Sequence, residues 1–338
     1  MRLNYDLTIC TWNARGLGRR EKERAVQRLM RECKVKVCLI QESKLNVAKQ
    51  GLCRKIWGNR HWSCESVPAV GSAGGLITSW DNSFFRVTKT MNTSRAICLF
   101  GILVSSNLEV GIVNVYAPND LRERREFWTS LKLLIEQEGV PIIVGGDFNA
   151  VRRKEESLGG MHSSASIMDF NAFISDCCLI DLPFIGGEYT WYRGGNNVAA
   201  SRIDRFLLST EVVACYPGLV QKRFPRGLSD HCPIWLNNLR RVRGPQPFKL
   251  FDWWMDDPAF EAQMIQALDS GDSIPGLLGK VKAVSKDWLR RKKADETDSI
   301  SDLEKKVDER EEVALANPEN LALWDEIREL RALLWERC

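Results

Sequence analysis

Two apolar runs limit what this chain can fold into more than any other feature. Val35-Lys36-Val37-Cys38-Leu39-Ile40 and Pro141-Ile142-Ile143-Val144 are near-continuous rather than alternating, the pattern of strands covered on both faces. Leu108-Glu109-Val110-Gly111-Ile112-Val113-Asn114-Val115-Tyr116 alternates only in part. Buried and half-buried strands in one chain suit two sheets packed face to face with helices outside, an α/β fold layered as an α/β/β/α sandwich.

Residues 1–236 agree with that reading, because short β-branched runs alternate there with helical patterns and Gly/Asn/Asp loops. Strands are expected at Leu7–Trp12, Val35–Gln41, Gly75–Trp80, Ala96–Val104, Val110–Tyr116, Pro141–Asp147, Tyr189–Tyr192, Arg205–Leu208 and Pro233–Leu236. The 3.6-residue spacing of apolar positions predicts helices over Glu21–Cys33, Arg122–Glu138 and Ser166–Cys178. Strand chemistry fades after Leu236. Residues 237–247, with Arg240-Arg241-Val242-Arg243-Gly244-Pro245, read as a basic linker, and 248–338 as a helical extension that opens on the aromatic-rich Phe248–Met255. Asn317-Pro318 has the form of an N-cap followed by a first-turn proline, opening a helix with Leu321, Trp324 and Ile327. With Ile300, Leu303 and Val307 before it, a helical hairpin is expected.

Composition removes several classes. Eleven cysteines, an odd number without a CxxC pair, indicate neither a disulfide framework nor a zinc site, and three histidines argue against a His-built metal cluster. The N-terminal residues lack secretory-signal features, and no apolar run approaches a bilayer span, so a reducing compartment and no membrane are expected. A net charge of +4 does not by itself announce a nucleic-acid binder. Arg19-Arg20, Arg122 with Arg124-Arg125, Arg152-Arg153-Lys154, Lys222-Arg223 and Arg226 lie in or beside loops, where they either meet phosphate or stay solvated.

The chemistry lies in how the strands end. In chain order these ends are Thr11-Trp12-Asn13, Ile40-Gln41-Glu42, Tyr116-Ala117-Pro118, Gly145-Gly146-Asp147-Phe148-Asn149, Ser201-Arg202-Ile203-Asp204 and Ser229-Asp230-His231-Cys232-Pro233. Each alone reads equally as a cap, a turn or surface polarity. Together they supply what phosphodiester hydrolysis needs: oxygen ligands for a hard cation, a water activator, a charge sink and fixed donors.

The ordered set TWNARGLG, IQES, NVYAP, GGDFNAV, YTWY, SRID and LSDHCPI, over residues 7–236, resembles the endonuclease/exonuclease/phosphatase superfamily of exonuclease III and DNase I. It is most similar to the endonuclease region of LINE-type (non-LTR) retrotransposons, particularly those of plants. The resemblance implies a DNase I-like sandwich and an enzyme that nicks one DNA strand with Mg²⁺, or Mn²⁺ in its place, leaving a 3′-hydroxyl and a 5′-phosphate. By the same resemblance Glu42 is the main metal carboxylate, with Asn13 beside it and Asp230 as a second carboxylate near the ion. Asp147 is the general base and Asn149 orients the water or the phosphate. Asp204 fixes and charges His231, and Tyr116 hydrogen-bonds the phosphate. Thr190, Ser201, Arg202 and Ser229 are expected as substrate-side or supporting contacts. One departure is Arg15, where some repair-type relatives carry an Asp; it removes a possible cation ligand and favours a single ion. Phe248-Lys249-Leu250-Phe251-Asp252-Trp253-Trp254 resembles the segment that leads toward a reverse transcriptase, and no YxDD motif follows it here.

DNA is thus the expected partner, with loops such as Tyr192–Ala200 probing a groove and residues 280–338 as a protein-docking or self-association surface. Leu289-Arg290-Arg291-Lys292-Lys293 has the composition of a nuclear import signal or of a solvated helix face, and nuclear localisation is the expectation. Three other readings stay open. They are an abasic-site nuclease, an inositol-phosphate or phospholipid phosphatase on the same core, and a domesticated or decayed element kept for binding.

Overall fold

A computed structural model describes residues 7–45, 56–57, 61–70, 73–159, 162–194, 197–238, 254, 257–268, 274–317 and 319–337. The chain begins β1 (Thr8–Asn13), α1 (Arg20–Glu32), β2 (Val37–Gln41), β3 (Trp62–Val70), β4 (Ala73–Asp81), β5 (Phe85–Asn92), β6 (Ala96–Leu103) and β7 (Leu108–Tyr116). It continues α2 (Leu121–Glu138), β8 (Ile142–Asp147), β9 (Ser157–Leu158), α3 (Ser164–Asp176), β10 (Leu179–Asp181), β11 (Phe184–Ile185), β12 (Trp191–Arg193) and β13 (Ala199–Ser201). The last elements are β14 (Asp204–Ser209), α4 (Thr210–Cys215), β15 (Leu219–Arg223), β16 (Ile234–Asn238), α5 (Pro258–Leu268), α6 (Ile274–Ala316) and α7 (Leu321–Arg337).

The strands form a seven-stranded sheet in the order β11-β15-β16-β1-β2-β4-β3 and a six-stranded sheet in the order β10-β14-β8-β7-β6-β5, with a small third sheet β12-β13-β9. The two large sheets face one another across a core that includes Ile9, Leu39, Leu99, Ile112, Ile143, Phe206 and Leu236. The outer face of the first sheet packs Trp12 and Ile40 on Val26 and Met30 of α1, and that of the second packs Val144 and Phe148 on Trp128 of α2 and Phe170 of α3. This is the four-layer sandwich. The expected central strands are present, whereas β3, β5 and β15 were not foreseen. In β5 only Phe85 is buried, and its polar Arg86, Thr88, Lys89 and Thr90 hide the strand period.

Close sheet approach has a sequence cause at Gly145, where a Cβ would lie 2.4 Å from the Phe206 ring and 2.8 Å from Leu39 of the opposite sheet. A polar bridge also crosses the sandwich. Asn114 on β7 donates from Nδ2 to the carbonyls of Ile40 (3.2 Å) and Ile77 (3.1 Å) and to Thr78 Oγ1 (3.1 Å), while its Oδ1 accepts from Gln41 Nε2 at 2.6 Å. A buried amide so fully paired ties β7 to β2 and β4 at one register.

The chain divides into two compact units, Met1–Arg240 with Lys306–Cys338, and Arg241–Lys305. The division differs from the boundaries expected from sequence, because the end of α6 and all of α7 group with the sandwich. In the second unit Trp254, Phe260, Met264 and Trp288 cluster, with Phe260 and Trp288 ring centroids 4.7 Å apart. Residues 239–247 of the expected linker, and Phe248–Met255 apart from Trp254, lie outside the described residues. Cys64 is disulfide-bonded, a feature the cysteine spacing did not indicate. Among the described residues no helix is long and apolar enough to cross a membrane.

Replacing Asn114 by Ala removes its bonds to two core carbonyls, to Thr78 and from Gln41 and leaves a cavity, so we expect a loss of about 2–4 kcal/mol of stability in urea unfolding. A loss below about 1 kcal/mol would mean that the bridge is incidental to holding the sheets together.

Candidate active site

The residues singled out at the strand ends meet at one end of the sandwich. In the second sheet, strand register alone makes a row: Tyr116 of β7 pairs with Asp147 of β8, and Asp147 with Asp204 of β14. From the first sheet come Asn13 at the end of β1, Glu42 just past β2, and His231 just before β16. Asn13 joins the two sets. Its Nδ2 donates to Glu42 Oε1 at 3.1 Å and to Asp147 Oδ2 at 2.9 Å. Tyr116 donates its hydroxyl to Glu42 Oε1 at 3.2 Å. His231 Nδ1 lies 3.0 Å from Asp204 Oδ2, and its Nε2 lies 3.9 Å from Asp147 Oδ2. Asn149 points Nδ2 to the Ala117 carbonyl at 2.8 Å and caps Asp147 Oδ1 with its backbone N–H at 3.0 Å. Of these groups Glu42, Tyr116, Asp147, Asn149 and His231 line a cleft of about 320 Å³.

Backbone strain concentrates here. Arg15, Glu42, Lys44 and Asn149 all hold left-handed φ values, between 47° and 54°. Such conformations disfavour side chains with a Cβ and persist where packing on both sides dictates them.

A family model described as Endonuclease/Exonuclease/phosphatase family matches residues 10–231. The chain belongs to that family. Its members are metal-dependent nucleases and phosphatases. Solved structures share the fold at low identity. The AP endonuclease LMAP from Leishmania major is 20% identical with a TM-score of 0.57, over 71% of this chain and 88% of that one. The 3′-5′ exonuclease NExo from Neisseria meningitidis is 19% identical with a TM-score of 0.55, over 68% and 98%. The endonuclease domain of TRAS1, a telomere-specific non-LTR retrotransposon, is 16% identical with a TM-score of 0.53, over 70% and 100%. A search of curated proteins finds no match.

The electrostatics of this endonuclease/exonuclease/phosphatase site push its groups apart. Burial, with Asp204 close by, raises the Asp147 carboxyl well above the ordinary range. Burial opposes charge on His231, but Asp204, its hydrogen bond and Asp147 push the imidazole up to about 9. Burial raises the Tyr116 phenol, so it stays a donor. Glu42, Asp147 and His231 each offer one ligand atom within 4.8 Å of the others. A protonated imidazole has no free lone pair, which leaves Glu42 and Asp147 as the pair facing a common point. Hard carboxylate oxygens on rigid strand ends fit Mg²⁺ or Mn²⁺.

Several expected contacts take other partners. Asp230 stands outside the metal-competent group, because Arg15 grips it with Nε at 3.0 Å and Nη2 at 2.8 Å, and Trp191 Nε1 donates to it at 3.1 Å. Asn13 turns its amide nitrogen to the carboxylates while its Oδ1 accepts from the Arg15 N–H at 3.2 Å, so it presents a donor and not a ligand oxygen. Thr190, fully buried, donates to Asp204 Oδ2 at 2.7 Å, and Ser229 donates to the Asn13 carbonyl at 2.8 Å. Both support the site without facing the cleft. Arg202 turns away to Asp181 at 2.8 Å; of the four expected contacts only Ser201 lines the cleft.

Reading the sequence missed Trp191, His162, Asn119 and Ile203 in the cleft wall and had Arg124 only as part of a loose basic cluster. Trp191 sits inside the quoted YTWY motif, and its backbone bridges to His231, which was the available signal. Of the basic clusters, Arg124 reaches the cleft, whereas Arg223 and Arg226 are buried in internal ion pairs, neither solvated nor free for phosphate.

In metal-free protein the His231 imidazole should titrate near pH 9 by NMR, and an Asp204→Asn change should bring the midpoint down to or below the ordinary 6.5. His162, which burial lowers to about 4, gives the opposite reference in the same spectra. Since the folded value of His231 lies above the unfolded one, its charge stabilises fully below about pH 6.5 and the contribution vanishes as pH rises through about 9. A midpoint that Asp204→Asn leaves unmoved would disconnect the pair.

Proposed function

We propose that this chain is a divalent-metal-dependent endonuclease that nicks one strand of DNA and that it derives from a LINE-type retrotransposon, nearest in motif wording to those of plants. The observation that carries the reading is the convergence of Glu42, Asn13, Tyr116, Asp147, Asp204 and His231 around one cleft, in the arrangement phosphodiester hydrolysis requires. The basic and aromatic wall of that cleft, Arg15, Arg124 and Trp191, suits a nucleic-acid strand better than a small phosphate ester. The fold likeness to the TRAS1 endonuclease domain supports the retroelement origin.

Asp147, whose raised affinity for protons fits a base working near neutrality, takes a proton from the attacking water. The new P–O bond forms on that side while the bond to the 3′ oxygen breaks and that oxygen takes a proton from solvent, which leaves a 3′-hydroxyl and a 5′-phosphate. His231, held charged by Asp204, donates to the negative charge that develops on the phosphate, and Tyr116 and Asn149 add fixed donors. A Mg²⁺ ion held at Glu42 would offset charge on the phosphate and the leaving oxygen, with Asp147 kept free to take the proton. Nuclear localisation, through Leu289-Arg290-Arg291-Lys292-Lys293, follows from a chromosomal target; a reporter carrying residues 280–300 that stays cytoplasmic removes that part.

Purified protein with Mg²⁺ should convert supercoiled plasmid to open circles that DNA ligase reseals. Asp147→Asn and His231→Gln should each slow this by about 10²–10⁴-fold, with the double change costing less than the product. Intact plasmid, or nicks that ligase cannot close, would overturn the reading. Faster cutting of an abasic duplex, or release of phosphate from an inositol polyphosphate, would redirect it.

Arg15 saturates Asp230, so Mn²⁺ titration followed by electron paramagnetic resonance should count one ion per chain, lost in Glu42→Gln. Arg15→Ala should add a second, weaker ion at the freed carboxylate, and Arg15→Lys should not. Two ions in the unaltered protein would contradict the role given to Arg15.

A further inference from the structure

Two buried arginines serve no step of the chemistry above. Arg223, at the end of β15, is 3% exposed, and Arg226 is 4% exposed. Arg223 donates from Nη2 to Asp308 Oδ2 at 2.5 Å and to Glu312 Oε1 at 3.2 Å, and from Nη1 to Tyr192 Oη at 2.6 Å. Arg226 pairs with Glu311, which is 1% exposed, and donates to the Tyr192 carbonyl at 3.2 Å. Asp308, Glu311 and Glu312 are spaced three and four residues apart, one face of α6. Desolvated charges of this kind hold only when their partners are in place.

The second half of the helix pair grips the same region from another side. Trp324 and Ile327 of α7 share an apolar cluster with Ala314 of α6 and with Val198, which leads into β13. At Gly194, just after β12, a Cβ would come 2.7 Å from the Trp324 ring, so the indole packs closely against this stretch of backbone. Arg331 donates to the Ser229 carbonyl at 2.8 Å. The two gripped segments are joined to each other, by Tyr192 N–H to the Asp230 carbonyl at 3.0 Å and Cys232 N–H to the Thr190 carbonyl at 2.7 Å. Each carries a wall of the cleft, Trp191 on one and His231 on the other.

We propose that residues 306–337 are a working part of the nuclease, a brace that fixes the β12–β13 hairpin and the Ser229–His231 loop against the cleft and thereby sets strand binding and the position of the cut. Trp324 and Arg331 are its positioning residues. Trp324 and Ile327 pack on Ala314, Leu315 and Leu323 of the helix pair and also reach Val198 and Gly194 of the hairpin, and three acidic side chains pair with arginines of the sandwich. The proposal rests on the nuclease reading for its functional half only.

Amide hydrogen exchange on the full chain tests it. In Trp324→Ala and in Arg331→Ala, the Tyr192 and Cys232 amides should exchange at least about tenfold faster, while β7 and β8 keep their protection. Arg331→Lys should restore most of it. On an end-labelled duplex, Trp324→Ala should raise KM by about tenfold with kcat little changed and should scatter the cut positions. Unchanged exchange at both amides, or exchange that rises equally in β7 and β8, overturns the brace, as do wild-type KM and cut positions in Trp324→Ala. A chain that never nicks DNA yet shows the expected exchange sinks the nuclease reading and leaves the holding role standing.

Discussion

The reacting groups belong to two sheets that share no backbone hydrogen bond, so everything in this molecule depends on how those sheets register. Asn13, Glu42 and His231 arrive from the seven-stranded sheet, and Tyr116, Asp147 and Asp204 from the six-stranded one. Apolar packing alone fixes a spacing and tolerates sliding; the fully paired Asn114 amide, two residues before Tyr116, does not. Gly145, two residues before Asp147, lets the sheets come close enough for Asn13 to reach Asp147 directly. The glycine and the amide thus set a distance on which proton transfer at Asp147 depends.

Crowding four carboxylates at that end is costly, and their arrangement turns the cost to use. Asp230 is neutralised by Arg15, and Asp204 by the imidazolium it creates, so neither competes for a cation. Glu42, with looser pairs to Arg15 at 3.6 Å and Lys44 at 3.7 Å, shares the Asn13 amide with Asp147. The left-handed backbone at Arg15, Glu42 and Asn149 belongs to the same device, since each turn redirects a side chain that an ordinary strand exit would aim elsewhere.

Much of this was legible in the sequence, for a physical reason. Strands buried on both faces are largely apolar, so the polar residues beside them stand out as a set, and Asn13, Glu42, Asp147 and His231 belong to that set, their roles coming from the family resemblance. Thr190 and Ser229 were seen but not their orientation, because a hydroxyl serves a substrate and a neighbouring carboxylate equally well. Arg202 and Asp230 went to other partners, since an ion pair between positions 15 and 230 leaves no trace in local spacing. The half-exposed strands β3 and β5 escaped because their polar faces interrupt the period, and β15 because two of its three buried positions are the polar Gln221 and Arg223.

The C-terminal helices meet the same limit, and the reason reaches beyond this chain. A helix rich in Asp and Glu reads as a solvated face when only its own sequence is weighed. Arg223 and Arg226, read separately, fitted loop charges that either meet phosphate or stay solvated. Each is a poor guest in a core alone, since burial pulls the Arg226 guanidinium down to about 9. Brought together they form an interface of buried charge pairs, which is specific because the wrong register would leave three carboxylates and two guanidiniums unpaired. An apolar patch of equal area would have held the helices as firmly without choosing a register. A brace that must position Trp191 and His231 requires a register, and charge complementarity supplies it.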